Sequence, residues 1–136
     1  MVTYRTTRRV EFVDTDMAGI VHFSRFFLWM EEVEQEFLRS RGLAVTMKKP
    51  GEARHGFPRV AVQCEFLQPA RFEDEIQCML KVEHVGGKSI RYAHEFFVNG
   101  KLVAKGLLTT CYCLHTADGL KGVALPDDVR QKIECP

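Results

Sequence analysis

No run of apolar residues in this chain approaches the roughly 20 needed to span a bilayer as a helix. The opening stretch MVTYRTTRRVEFVD has basic residues but no apolar block behind them. A secretory signal is therefore not expected, and a cytoplasmic location is. Cysteine is present but unpatterned: five residues, an odd number without framework spacing, which implies reduced thiols. No charge sign dominates, with 19 basic and 18 acidic residues, so a nucleic-acid surface is not expected. A local basic patch for a phosphorylated ligand stays open. Neither a G-x-S-x-G elbow nor a glycine-rich phosphate loop occurs, which leaves serine and nucleotide hydrolases without an anchor. Repeats, low-complexity tracts and Pro/Gly/Ser linkers are also missing. At 136 residues the expectation is one domain over 1–136, able to bury a core without disulfides or metals.

What is there reads as one helix among strands. Residues 5–13, RTTRRVEFV, have the β-branched and aromatic content of a strand, and the loop DTDMAGI follows. Residues 24–40, SRFFLWMEEVEQEFLRS, read as a helix with Ser24 as N-cap and Gly42 at its stop. Phe26, Met30, Val33 and Phe37 recur at helical spacing. Phe26 to Met30 are apolar all round and are expected to be wrapped by protein, with Glu31, Glu32, Glu34 and Glu36 turned to solvent. Residues 43–58 hold Pro50, Gly51, Gly56 and Pro58 and read as a loop. Strand-like runs follow at 59–68, 72–85, 88–98 and 101–115, and Asn99-Gly100 is a strong hairpin signal between the last two. Asp118-Gly119 marks a turn, and 126–134 a short helix opened by Pro126. Tight turns between consecutive strands imply an antiparallel sheet, and one long apolar helix beside it makes an α+β design.

The stretch VDTDMAGIVHFSRFFLW, residues 13–29, places Asp14 and Asp16 just ahead of the helix. Loop aspartates commonly cap turns, and spacing alone favours that reading. The alternative is chemical. A helix N-terminus offers unpaired N–H groups and partial positive charge, which suit a developing oxyanion. A carboxylate facing those donors can activate water or attack an acyl carbon. Gly19 lets the backbone turn sharply between the two parts.

VEFVDTDMAGIVHFSRFFLWMEEVEQEFLRSRGL resembles the opening of the hotdog-fold acyl-CoA thioesterases of the 4-hydroxybenzoyl-CoA thioesterase type. The signature falls on Asp14, Asp16, Gly19, Ile20, Val21 and His22. Residues 62–106 are similar to the same family's later strands, through Pro69-Ala70, the acids near Asp74, and Lys88-Ser89. The resemblance implies an antiparallel sheet wrapped around one long helix, and Asp16 as the catalytic carboxylate. It implies backbone N–H near Phe23 as the oxyanion donor, with Gly19 and His22 shaping that region. Asp14 is then a supporting residue. No metal or cofactor is implied. A homodimer or homotetramer with a continuous sheet is, since a lone sheet leaves an edge strand to be covered.

Other groups are weighed against plainer readings. His22 is either a structural histidine or part of the acyl-pocket wall. Lys88, Ser89 and Arg91 are candidates for coenzyme A phosphates, with Arg59 and Arg71 weaker ones. Cys111, Cys113 and His115 would share a strand face, but i and i+2 side chains lie roughly 6.5–7 Å apart, too far to chelate zinc. They read as small buried hydrophobes. Glu31 or Glu32 is a reserve catalytic acid, because some hotdog enzymes carry one on this helix. The expected activity is hydrolysis of an acyl-CoA thioester, with an acyl carrier protein as another source of the thiol. A non-catalytic acyl-binding module and a dehydratase of the same fold are the alternatives.

Overall fold

The computed structural model describes residues 1–136. In chain order it contains β1 (Thr3–Arg9), a 3-10 turn (Phe12–Asp14), α1 (Phe23–Ser40), β2 (Thr46–Met47), β3 (His55–Gly56) and β4 (Arg59–Phe66). Then come β5 (Glu75–Val85), β6 (Ser89–Val98), β7 (Lys101–Cys111), β8 (Cys113–Thr116), β9 (Gly119–Gly122) and α2 (Asp127–Glu134). The main sheet has the order β1-β5-β6-β7-β4, antiparallel throughout. A smaller sheet, β2-β3-β8-β9, stands beside it.

One face of the main sheet is largely apolar by alternation along its strands, with His94 and Thr110 as buried polar exceptions. Ile76, Cys78, Leu80 and Val82 of β5, and Ile90, Tyr92 and Phe96 of β6, are buried on it. Against this face lies the inner row of α1, Phe26, Met30, Val33 and Phe37, all nearly inaccessible. The helix can approach closely because Gly106 of β7 has no side chain. A Cβ there would collide with Met30 Cε and the Gln63 carbonyl. This is the helix-in-sheet arrangement that the sequence implied.

Several local expectations need correction. The first strand ends at Arg9, because the chain curls into the 3-10 turn that leads to Asp14. The helix begins at Phe23, and His22, not Ser24, is its cap. The run 101–115 breaks at Tyr112, whose N–H turns to the Lys88 carbonyl, so β8 leaves for the small sheet. There Cys111 is half-buried, Cys113 buried and His115 exposed. The 43–58 stretch contributes two short strands to that sheet.

The polarity of α1 also differs from expectation. Leu28, in the apolar half, is 45% exposed, whereas Glu34 is wholly buried. Helical spacing explains this: Glu34 follows Met30 by four residues and precedes Phe37 by three, so it falls on the inner row. Its charge is met by Arg59 of β4. Glu36 is met by Arg8 of β1 at 2.6 Å. The Asn99-Gly100 hairpin is as expected, with φ of 50° and 77° at its two turn residues.

Candidate active site

Residues 14–22 form a tight loop fastened at both ends. Thr15 and Val21 make an isolated antiparallel bridge. Inside it the Asp16 N–H donates to the Ile20 carbonyl at 3.0 Å, and the Gly19 N–H to the Asp16 carbonyl at 3.0 Å. Gly19 has φ +79°, a conformation that a side chain would strain. Asp16 is exposed at the loop tip, where its Oδ1 accepts the Ala18 N–H at 2.8 Å.

Asp14 has the opposite environment. It is 3% exposed. Its Oδ1 accepts from Arg25 Nε at 2.6 Å, and its Oδ2 from the Glu11 N–H at 2.8 Å. Its carbonyl accepts the His22 N–H at 2.8 Å. Asp14 therefore ties the loop to the first turn of α1. Arg25 was not singled out in the sequence, where only its place eleven residues beyond Asp14 on the helix could have suggested it.

His22 lies outside the core. Its Nδ1 accepts the Ser24 N–H at 3.3 Å and lies 2.7 Å from Ser24 Oγ, and its ring stacks on Phe23 at 4.7 Å between centroids. The Phe23 N–H, the first of the helix, has no acceptor among the cap and loop hydrogen bonds.

Asp16, Phe23 and Phe26 line one cavity of about 640 Å³. Its other wall is the end of β4 and the segment after it, from Phe66 to Arg71. That wall is anchored where the Ala70 carbonyl accepts the Val21 N–H at 2.8 Å. Phe66 packs on Phe26 at 5.7 Å and Phe23 at 6.2 Å. The arrangement is an apolar cleft with a carboxylate and a helix start on its rim, the composition expected of a small-ligand site. Sequence reasoning missed the Phe66–Arg71 segment as a wall. Pro69-Ala70 and Arg71, a weaker candidate for coenzyme A, were its only signals.

The proposed phosphate contacts lie elsewhere. Ser89 begins β6, whereas Phe96, which packs on Phe26 at 5.4 Å, is near its end. Five to eight strand residues place Arg91, Ser89 and Lys88 about 17–26 Å along the strand from the Phe26 end of the cavity within one chain. Arg59 is similarly remote at the start of β4. Arg71 is the cation in the cavity wall. Glu31 bonds Gln35 at 3.2 Å and Glu32 bonds Arg8 at 3.2 Å, and neither lines the cavity. No group of three or more His, Cys, Asp or Glu residues is placed to hold a metal.

Two buried titratable groups sit deeper between helix and sheet. Burial outweighs the Arg59 charge at Glu34 and pushes its carboxyl up to about 7. Burial alone pushes His94 of β6 down to about 3, and neither of its ring nitrogens has a partner.

A helix cradled by an antiparallel sheet, with a carboxylate-rimmed cleft at the helix start, defines a hotdog protein. The chain belongs to the Thioesterase-like superfamily, whose family model matches residues 10–133. A 1,4-dihydroxy-2-naphthoyl-CoA hydrolase from a Synechococcus strain is 30% identical over 132 residues, covering 94% of this chain and 87% of that relative. The structure of a gentisyl-coenzyme A thioesterase superimposes with a TM-score of 0.81 at 27% identity, covering 96% of this chain and 99% of that one. A mutant 4-hydroxybenzoyl-CoA thioesterase complexed with 4-hydroxybenzoyl-CoA gives 0.84 at 18% identity, covering 97% and 99%. No helix is long and apolar enough to cross a membrane.

Proposed function

We propose that this chain, acting as one domain, hydrolyses an acyl-CoA thioester to the free acid and coenzyme A, with Asp16 as the catalytic carboxylate. The observation that carries the reading is the shared cavity of Asp16 and the start of α1. Asp16 deprotonates water, or attacks the carbonyl itself to form a short-lived anhydride that water then opens. The Phe23 N–H and the positive end of α1 receive the oxyanion. The thiolate then leaves as the carbonyl re-forms. A thiol pKa of about 8.5 makes it a fair leaving group, so no acid catalyst or cofactor is required.

Supporting groups follow from their contacts. Gly19 sets the loop tip, His22 caps the helix, and Asp14 with Arg25 holds loop and helix together. The aromatic walls Phe23, Phe26 and Phe66 suit a planar acyl group. The names of the relatives favour the same class: a dihydroxynaphthoyl and a gentisyl thioester. The dehydratase alternative has no helix-borne acid in the cavity, since Glu31 and Glu32 lie outside it.

The outer edge of β4 has no strand beside it. Pairing of two copies through this edge gives a homodimer with a continuous sheet, and two dimers give a tetramer. Such pairing also sets Lys88, Ser89 and Arg91 of one copy toward the cavity end of the other, where coenzyme A phosphates need cations. A cytoplasmic enzyme of this kind takes acyl-CoA, with an acyl carrier protein as the alternative thiol. Thiol release from a panel of acyl-CoA and carrier-protein thioesters tests the reading. Cleavage of an aryl-CoA is expected, and cleavage of none would contradict it.

A further inference from the structure

The two ends of edge strand β4 differ chemically. Phe66 and the residues just after it wall the Asp16 cavity. The other end carries Arg59. Register against β7 runs evenly from Phe66–Ala104 back to Ala61–Thr109, then slips, so that Arg59 faces Thr110 with Val60 bulged out. In a regular strand seven residues would set Arg59 and Phe66 on opposite faces. The bulge returns Arg59 to the helix-side face. There Glu34 holds its Nη2, and the Phe57 carbonyl accepts from its Nη1 at 2.7 Å. Glu34 is inaccessible and the Arg59 side chain 25% exposed. The guanidinium is thus fixed, yet Nε–H and one hydrogen on each Nη remain unused.

Within its own chain Arg59 is about 20 Å along the strand from Phe66, too far to touch a ligand at Asp16. A second copy changes this. The β4 edge presents free N–H and C=O groups, and Val60 and Val62 on it are 61% and 50% exposed. Two copies meeting edge to edge about a two-fold axis run antiparallel, with both helices on one side of the joined sheet. The N-terminal end of one β4 then lies beside the C-terminal end of the other.

We propose that the partner's Arg59, anchored by the buried Glu34 beside it, completes the Asp16 cavity and donates hydrogen bonds to the acyl side of the bound thioester. This rests on the thioesterase and dimer readings above. The bulge gives it a distinct structural basis: without the slip at Val60, the same pairing would turn Arg59 to the outer face.

Mixed dimers test it. Asp16→Asn and Arg59→Ala chains are purified, assayed for thiol release, then mixed under conditions that exchange subunits. Each alone should fall at least tenfold. The mixture should recover to about a quarter of the parent rate, because half the dimers are mixed and one site in each holds both Asp16 and Arg59. A mixture no faster than the average of the two variants would overturn the proposal, as would full activity of Arg59→Ala. Should Arg59→Ala fail to fold, Arg59→Lys takes its place, keeping a cation beside Glu34. A second readout needs no activity. The double variant Arg59→Cys, Gln68→Cys should oxidise to a disulfide-linked dimer, and the single variants should not. No linked dimer overturns the placement. A linked dimer of the double variant, together with a parent chain that cleaves no thioester, would instead overturn the thioesterase reading alone.

Discussion

Arg25 holds Asp14 through its Nε at 2.6 Å and its Nη2 at 2.5 Å, both on Oδ1, and that contact joins the acidic loop to the first turn of α1. Asp14 is the buried partner, and losing it removes the acceptor of both Arg25 and the Glu11 N–H, while Arg25 itself is 32% exposed. Asp14→Ala should therefore cost about 2 kcal/mol of stability, the scale of lost hydrogen bonds to a charged group. Asp16→Asn, on the exposed loop tip, should change stability by less than about 0.5 kcal/mol. Urea denaturation of both variants checks the contrast. Equal losses would show that the two acids share one structural role.

His22 is expected to matter less than its position suggests. Its ring caps α1 by accepting the Ser24 N–H, and it stands outside the core. His22→Ala should cost about 1 kcal/mol, as lost caps do. Its effect on kcat should stay below about tenfold, short of the range for an essential proton carrier. A loss comparable with that of Asp16→Asn would make His22 a proton carrier.

Stability should depend on pH through two buried groups that act in opposite senses. His94 is held neutral down to about 3, against 6.5 when unfolded, so the unfolded chain binds its proton first. Between those values stability falls as pH falls, by about 1.4 kcal/mol per unit. Glu34 titrates at about 7 when folded and 4.5 when unfolded, so between these values stability rises as pH falls. The two nearly cancel from pH 4.5 to 6.5. Below 4.5 only the His94 loss continues. Denaturation curves should show His94→Phe gaining stability from pH 6 to pH 4.5, where the parent stays level, and holding it at pH 4, where the parent begins to lose. Parallel curves for the two would show that His94 does not set the pH dependence.

Assembly should fail when the β4 edge is charged. Val62 is half exposed near the middle of β4, where a two-fold axis would bring it close to its own copy. Val62→Asp then places like charges together in a poorly hydrated seam. Gel filtration should show a monomer with reduced thiol release. A dimer unchanged in size would mean that the copies meet by another surface.

The broad fold was legible because periodicity reports which face is buried. Phe26, Met30, Val33 and Phe37 announced the inner row of α1, and Asn99-Gly100 announced the β6–β7 hairpin. The misread parts depend on contacts distant in sequence. Glu34 looked like solvent-facing charge because its partner Arg59 is 25 positions away. The run through Cys111 and Cys113 looked like one strand because nothing local shows that Tyr112 will bond to Lys88 across the sheet. The candidate site was half legible. Asp14, Asp16 and Gly19 lie together in the sequence, but the Phe66–Arg71 wall meets them only through the fold.

Asp16 carries the proposed chemistry. Steady-state thiol release by Asp16→Asn, on whichever aryl-CoA the parent cleaves best, should show kcat lower by at least about 100-fold. KM should change little, because the variant keeps the cleft and its aromatic walls. Turnover by Asp16→Asn at the parent rate would contradict the assignment of the chemistry to this residue.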